Sequence, residues 1–109
     1  WKMINSLLPE IYKHLESYYP REACGVITED LKWFPVTNGS ENDNQFEMDT
    51  QEFIKIAISN KIKAVVHSHI DISAEPSEID IKQCNGLNLD YYIINLPDKE
   101  LYHLKPNRQ

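Results

Sequence analysis

Residues 61–70, KIKAVVHSHI, constrain the fold more than any other stretch of this chain. They read as a β-strand with an apolar centre that ends on two histidines. Successive strand residues face opposite sides, so His67 and His69 project from the same face, about 7 Å apart along the chain. That spacing lets two imidazoles converge on one ion.

Other elements fall in order around this strand. Leu8, Ile11, Leu15 and Tyr18 recur at helical spacing, which predicts an amphipathic helix ending near Pro20. ACGVIT (23–28) reads as a buried strand and LKWFPVTN (31–38) as its partner. Asn38-Gly39 opens a polar loop, SENDNQ, leading to a short strand around Phe46 and Met48. Asp49 with Glu52 resembles a capping box, which starts a helix through Phe53, Ile56 and Ala57. Pro76-Ser77 starts another short helix, and Gly86 is expected to close it. DYYIINLP (90–97) and ELYHLKP (100–106) complete the chain as strands around a Pro97-Asp98-Lys99 turn. The expected class is α/β (α+β): a single mixed β-sheet flanked by helices.

At 109 residues the chain suffices for one core and one domain, 1–109. Its charge of -6, with Lys and Arg scattered, offers no surface suited to nucleic acid or an anionic membrane. No apolar run approaches the ~18 residues that span a bilayer. The N-terminal WKMINSLLPEIYKHLESYY carries charges within a helical pattern and does not read as a signal peptide. Cys24 and Cys84 make neither a disulfide framework nor a Cys-x-x-Cys, which favours a reducing compartment. A start at Trp1 and an end at Gln109 fit excision from a longer chain.

Ser77 and Asp80 are three apart and share a face on a helix. If the loop after His69 brings that face over the strand end, Asp80 becomes a third, oxygen ligand. Two histidines and a carboxylate leave a tetrahedral zinc with an open position, the catalytic pattern. Each part has a plainer account. A lone His-x-His is more often solvated or part of a core, and Ser-x-x-Asp also fits an ordinary helix N-cap with an acid in the first turn. All four residues at these offsets arise by chance on the order of once in a thousand chains or fewer at this composition. Cys24 and Cys84 could join the histidines in a structural Cys2His2 site, but their separations match no usual spacing. Cys24 as a nucleophile is weaker still, because ACGVI reads as a buried strand. His14 and His103 look like surface or sheet-face residues with no partner pattern. Asp71, Ser73 and Glu75 lie in the loop between the two halves of the motif and would border a substrate groove.

HSH, seven residues, then S-x-x-D resembles the signature of the JAMM (MPN-type) metallopeptidases. That family's pattern continues upstream with a glutamate on an early strand, and REACGVI at 21–27 has Glu22 at that point. The resemblance implies a cytidine-deaminase-like JAMM/MPN fold across essentially the whole chain. It implies His67, His69 and Asp80 as zinc ligands, Glu22 as general acid/base and Ser77 as donor to the tetrahedral oxyanion. One departure is Ile70, where the family commonly has proline; the change bears on loop geometry and not on a ligand.

The stretch after Asp80 is used up by two strands and a tail, with no room for the long insertions of the ubiquitin-gripping members. The chain is thus similar to compact prokaryotic and phage forms. HSH…PSEID with LDYYIINLPDKELYHLKP is particularly like the N-terminal domain of phage tail-tip proteins of the lambda K type, which a cell-wall hydrolase domain often follows. The resemblance implies a zinc-dependent peptidase or isopeptidase acting on a peptide or protein, with phage tail proteins as partners. Its location would be the bacterial cytoplasm or the virion tail. Two alternatives stand beside it: a non-catalytic MPN-type scaffold, and a bacterial enzyme trimming a ubiquitin-like or sulfur-carrier protein.

Overall fold

A computed structural model describes residues 4–40, 47–70, 74–96 and 98–107. After a 3-10 turn at Asn5–Leu7 come helix α1 (Leu8–Tyr18), strands β1 (Cys24–Thr28) and β2 (Trp33–Val36), and helix α2 (Thr50–Ser59). Strand β3 (Ile62–His69), helix α3 (Glu78–Leu87), and strands β4 (Asp90–Asn95) and β5 (Glu100–Leu104) follow. The five strands form one mixed sheet in the order β2-β1-β3-β4-β5. β3 runs antiparallel to β1 and parallel to β4. A parallel neighbour needs a crossover, and α3 provides it.

The central strand explains the layering. Residues 64–69 of β3 are buried on both faces, so each face needs a cover. On one side Ala64 and Val66 pack with Ile11 and Leu15 of α1 and with Ile94. On the other, Val65 packs with Cys24, Val26, Tyr91 and Cys84 of α3, with Phe53 and Ile56 of α2 at the margin. α2 buries no residue fully and leaves Ile58 78% exposed, so it covers the sheet only at its edge. Gly25 permits one close approach: a Cβ there would lie 2.2 Å from the Trp33 ring and 2.7 Å from the Phe34 carbonyl oxygen.

Several local expectations change. The strand expected around Phe46 and Met48 reduces to an isolated bridge between Asn38 and Met48; Phe46 itself lies outside the described residues. The Asn38 side chain replaces a ladder there, its Oδ1 accepting the Ser40 and Glu47 N–H groups at 2.9 Å each. Only half of the capping box at α2 forms. Asp49 accepts the Glu52 N–H, but its own N–H goes to the Thr37 carbonyl and the Glu52 carboxylate takes the Thr37 N–H. Gly86 does not close α3. The helix runs on to Leu87, and Asn88 takes the left-handed cap at φ 54, a conformation its short polar side chain tolerates.

Candidate metal centre

β3 delivers both histidines to the α3 side of the sheet, at its own carboxyl end. His67 faces Ile93 and His69 faces Asn95 in the parallel ladder. Antiparallel pairing sets Cys24 opposite His67. The Ser68 N–H then donates to the Ala23 carbonyl at 2.9 Å, which carries the register on toward Glu22. Glu22, Cys24, His67 and His69 therefore share one face, by register and alternation alone. The Ser68 side chain turns to the opposite face, where its Oγ accepts the Ala23 N–H at 2.8 Å.

α3 begins directly over that strand end. Ser77 is its N-cap: the hydroxyl accepts the Asp80 N–H at 3.1 Å, while Asp80 Oδ2 accepts the Ser77 N–H at 2.9 Å, a complete reciprocal box. The plain account of this tetrad thus holds, and the other geometry holds with it. Asp80 Oδ1 lies 3.0 Å from His67 Nε2 and Oδ2 lies 3.0 Å from His69 Nε2. The two imidazole centroids are 4.9 Å apart. Nitrogen and oxygen atoms of His67, His69 and Asp80 all fall within 4.8 Å of one another, and all three residues are buried.

The protonation pattern tests whether a cation suits this cluster. Burial lowers the His67 pKa, so the ring is neutral and carries one proton. Its Nδ1 lies 3.2 Å from the Ser68 carbonyl oxygen and 3.9 Å from Glu22 Oε1, whereas its Nε2 faces Asp80 Oδ1. Acceptors thus stand at both nitrogens of a ring with one hydrogen to give. Burial works to raise the Asp80 carboxyl. The close approach of the His67 and His69 rings and the Ser77 N–H outweigh it and hold the group well below the usual carboxylate range. An ionised carboxylate beside a neutral imidazole is a donor set that fits a divalent cation, and zinc takes such nitrogen and oxygen ligands.

Glu22 is 6% exposed and stands on the Nδ1 side of His67. It adjoins the cluster without being part of it. Ser77 is exposed at the mouth. Its oxygen is engaged by the cap, and its O–H is not spent there. Ile70 is half-buried just past the strand end, and residues 71–73, with Asp71 and Ser73, lie outside the described residues; Glu75 is exposed.

The cysteines take no part. Burial, with the Glu52 and Glu22 charges, pushes the Cys24 thiol up to about 12, far from a thiolate nucleophile. Cys84 packs in the core beneath α3 and donates to the Leu89 carbonyl. His14 and His103 are half-buried and have local partners. His14 Nε2 meets the Cys24 carbonyl at 3.1 Å, and His103 Nε2 meets Asp90 Oδ2 at 3.0 Å with its ring stacked on Tyr92. Neither belongs to the His67-His69-Asp80 cluster. Sequence reasoning missed Asn38, whose Nδ2 donates to the Glu22 carbonyl at 2.7 Å and so ties down the segment bearing that carboxylate. An Asn before Gly reads as a turn, and no local pattern marks it as a long-range brace. Among the described residues no helix is long and apolar enough to cross a membrane.

Comparison with known proteins agrees with this geometry. The chain is 30% identical over 108 residues to the tail tip assembly protein K of Escherichia phage N15, a match covering 95% of this chain and 44% of that protein. It thus spans less than half the length of that relative. Its fold superposes on a Desulfitobacterium hafniense protein solved in solution (TM-score 0.74, 23% identity, 91% of this chain and 77% of that one). A JAB1/MPN domain protein from Archaeoglobus fulgidus also shares the fold (TM-score 0.53, 19% identity, 93% and 92% covered). With residues 5–105 matching its family model, the chain belongs to the prokaryotic homologs of the JAB domain.

Proposed function

We propose that this domain is a zinc-dependent peptidase or isopeptidase of a phage or prophage tail-assembly protein. The observation that carries the reading is the convergence of His67, His69 and Asp80 on one buried locus, with Glu22 on the same face. His67, His69 and Asp80 would hold zinc, which when bound would supply Lewis acidity to lower the pKa of water toward neutrality and polarise an amide carbonyl. Glu22 takes the proton released by the attacking water and returns it to the departing amine, so that charge never builds on the leaving nitrogen. Ser77 donates its O–H to the oxygen on which negative charge develops. His67 is oriented by the Ser68 carbonyl at Nδ1, which keeps Nε2 for the ion.

A cleft of about 330 Å³ lies beside α3, lined by Glu47, Met48, Gln83, Gly86, Leu87 and Tyr91. Tyr91 also sets its ring edge-on to His67 at 6.0 Å, so cleft and cluster adjoin. A side chain of a peptide or protein substrate would lodge there. Similarity to a tail tip assembly protein supports tail proteins as partners, with action in the host cytoplasm during assembly or in the virion tail.

The test is zinc content with amide-bond cleavage for wild type, His67→Ala and Glu22→Gln. Wild type is expected to bind one zinc and cleave, His67→Ala to lose both, and Glu22→Gln to keep zinc and lose cleavage. A wild type free of zinc after zinc-supplemented purification, or Glu22→Gln as active as wild type, refutes the reading.

A further inference from the structure

The end of β4 holds a polar side chain that the site described above does not use. Asn95 is wholly buried. The parallel ladder sets it beside His69, as Ile93 stands beside His67, and the Leu96 N–H bonds the His69 carbonyl at 3.0 Å, so pairing persists to that point. Partners in a parallel ladder point to the same side. Tyr91, four residues earlier on β4, lies on the α3 side against His67. Asn95 therefore continues the row begun by Tyr91 and ends it next to His69.

One end of its amide is fixed. Nδ2 donates to Asp98 Oδ1 at 3.0 Å, and the same oxygen takes the Glu100 N–H at 2.8 Å. An ionised carboxylate only accepts, so the NH2 must face Asp98 and the carbonyl oxygen must point elsewhere. Among the described residues no donor reaches that enclosed Oδ1. An unpaired buried acceptor costs about 1–3 kcal/mol, which an apolar residue of similar size would avoid. The side chain beside it that can give a proton is an imidazole.

From this we infer that Asn95 is a positioning residue: its Oδ1 takes a ring N–H of His69 through one enclosed water, and thereby fixes Nε2 as the metal-facing nitrogen. Histidines that ligate metals almost always give their other N–H to an oxygen acceptor. His67 finds that acceptor in the neighbouring Ser68 carbonyl. Asn95 supplies the counterpart for His69 from the adjacent strand. The inference rests on the metal-binding reading proposed above.

Asn95→Leu tests it in the full chain with two readouts. One is zinc affinity by competition with a chromophoric chelator; the other is the His69 tautomer by long-range 1H–15N correlation on metal-free protein. Zinc binding is expected to weaken about 10–100-fold, with His69 passing from one tautomer to a mixture and His67 unaltered. The tautomer decides: if it is unchanged, the inference is overturned, even if zinc affinity falls, because a merely structural role would do that. Should Asn95→Leu fail to fold, Asp98→Ala decides in its place. It removes the acceptor that holds the NH2 and lets the amide rotate, so an unchanged tautomer there also overturns the inference. If wild type takes up no zinc, the proposed function falls while the metal-free tautomer measurement still reads this one.

Discussion

Ser68→Ala separates the two halves of the site. Ser68 is fully buried, and its Oγ accepts the Ala23 N–H at 2.8 Å, on the opposite face from the histidines that flank it. Removing the oxygen leaves a buried backbone donor without an acceptor, which costs about 1–3 kcal/mol. The space vacated is that of one oxygen, so the cavity contribution is minor beside it. At about 2.1 cal/mol/K per residue, a chain of this length loses roughly 4 °C of Tm per kcal/mol, so the fall should be about 4–13 °C. The backbone bond from the Ser68 N–H to the Ala23 carbonyl remains, which keeps the register and the directions of His67 and His69. Zinc affinity should therefore hold, while cleavage falls because Glu22 sits on the loosened segment. Ser68→Cys, with sulfur as a weak acceptor at similar volume, should fall between. Scanning calorimetry of metal-free protein and a chelator competition measure the two quantities. An unchanged Tm, or a zinc affinity that falls in step with Tm, would refute the separation of faces.

Three further outcomes are expected. Gly25→Ala should destabilise by about 1–3 kcal/mol in urea titration, because the new methyl meets the Trp33 ring and the Phe34 carbonyl with no room to yield. The depressed Asp80 carboxyl contributes stability that is full above its unfolded pKa of about 3.9 and lost as pH falls from there toward its lower folded value; Tm recorded from neutral to strongly acidic pH should decline less steeply in Asp80→Asn. Cys24, with its thiol pushed up to about 12, should resist a thiol reagent at mildly alkaline pH in the native protein and react at once in denaturant.

Local chemistry was readable where a residue's role depends on its near neighbours. The period of Leu8, Ile11 and Leu15 marked α1, and the apolar run before His67 marked β3. The two-residue spacing was enough to set both imidazoles on one side, because strand alternation is a property of the backbone. Ser77 and Asp80 were legible as a pair for the same reason, a three-residue helical offset.

What the sequence by itself determined was thus the three helices and the five strands of the sheet, the shared face of the two histidines and the family whose motif they match. Tertiary structure decided everything that depends on register between distant strands. Pairing of β1 with β3 brought Glu22 to the histidine face, and pairing of β3 with β4 put Asn95 beside His69. It decided too that Asp80 is at once half of a helix cap and the third member of the cluster. Gly86 misled because a turn signal states only what a backbone tolerates, and the strand expected near Met48 is only a bridge to Asn38. Asn88 tolerated the left-handed cap as well, and the Asn38 side chain took the bonds a strand would have made. Local propensity ranks the options; the contacts that choose among them come from residues far away in the chain.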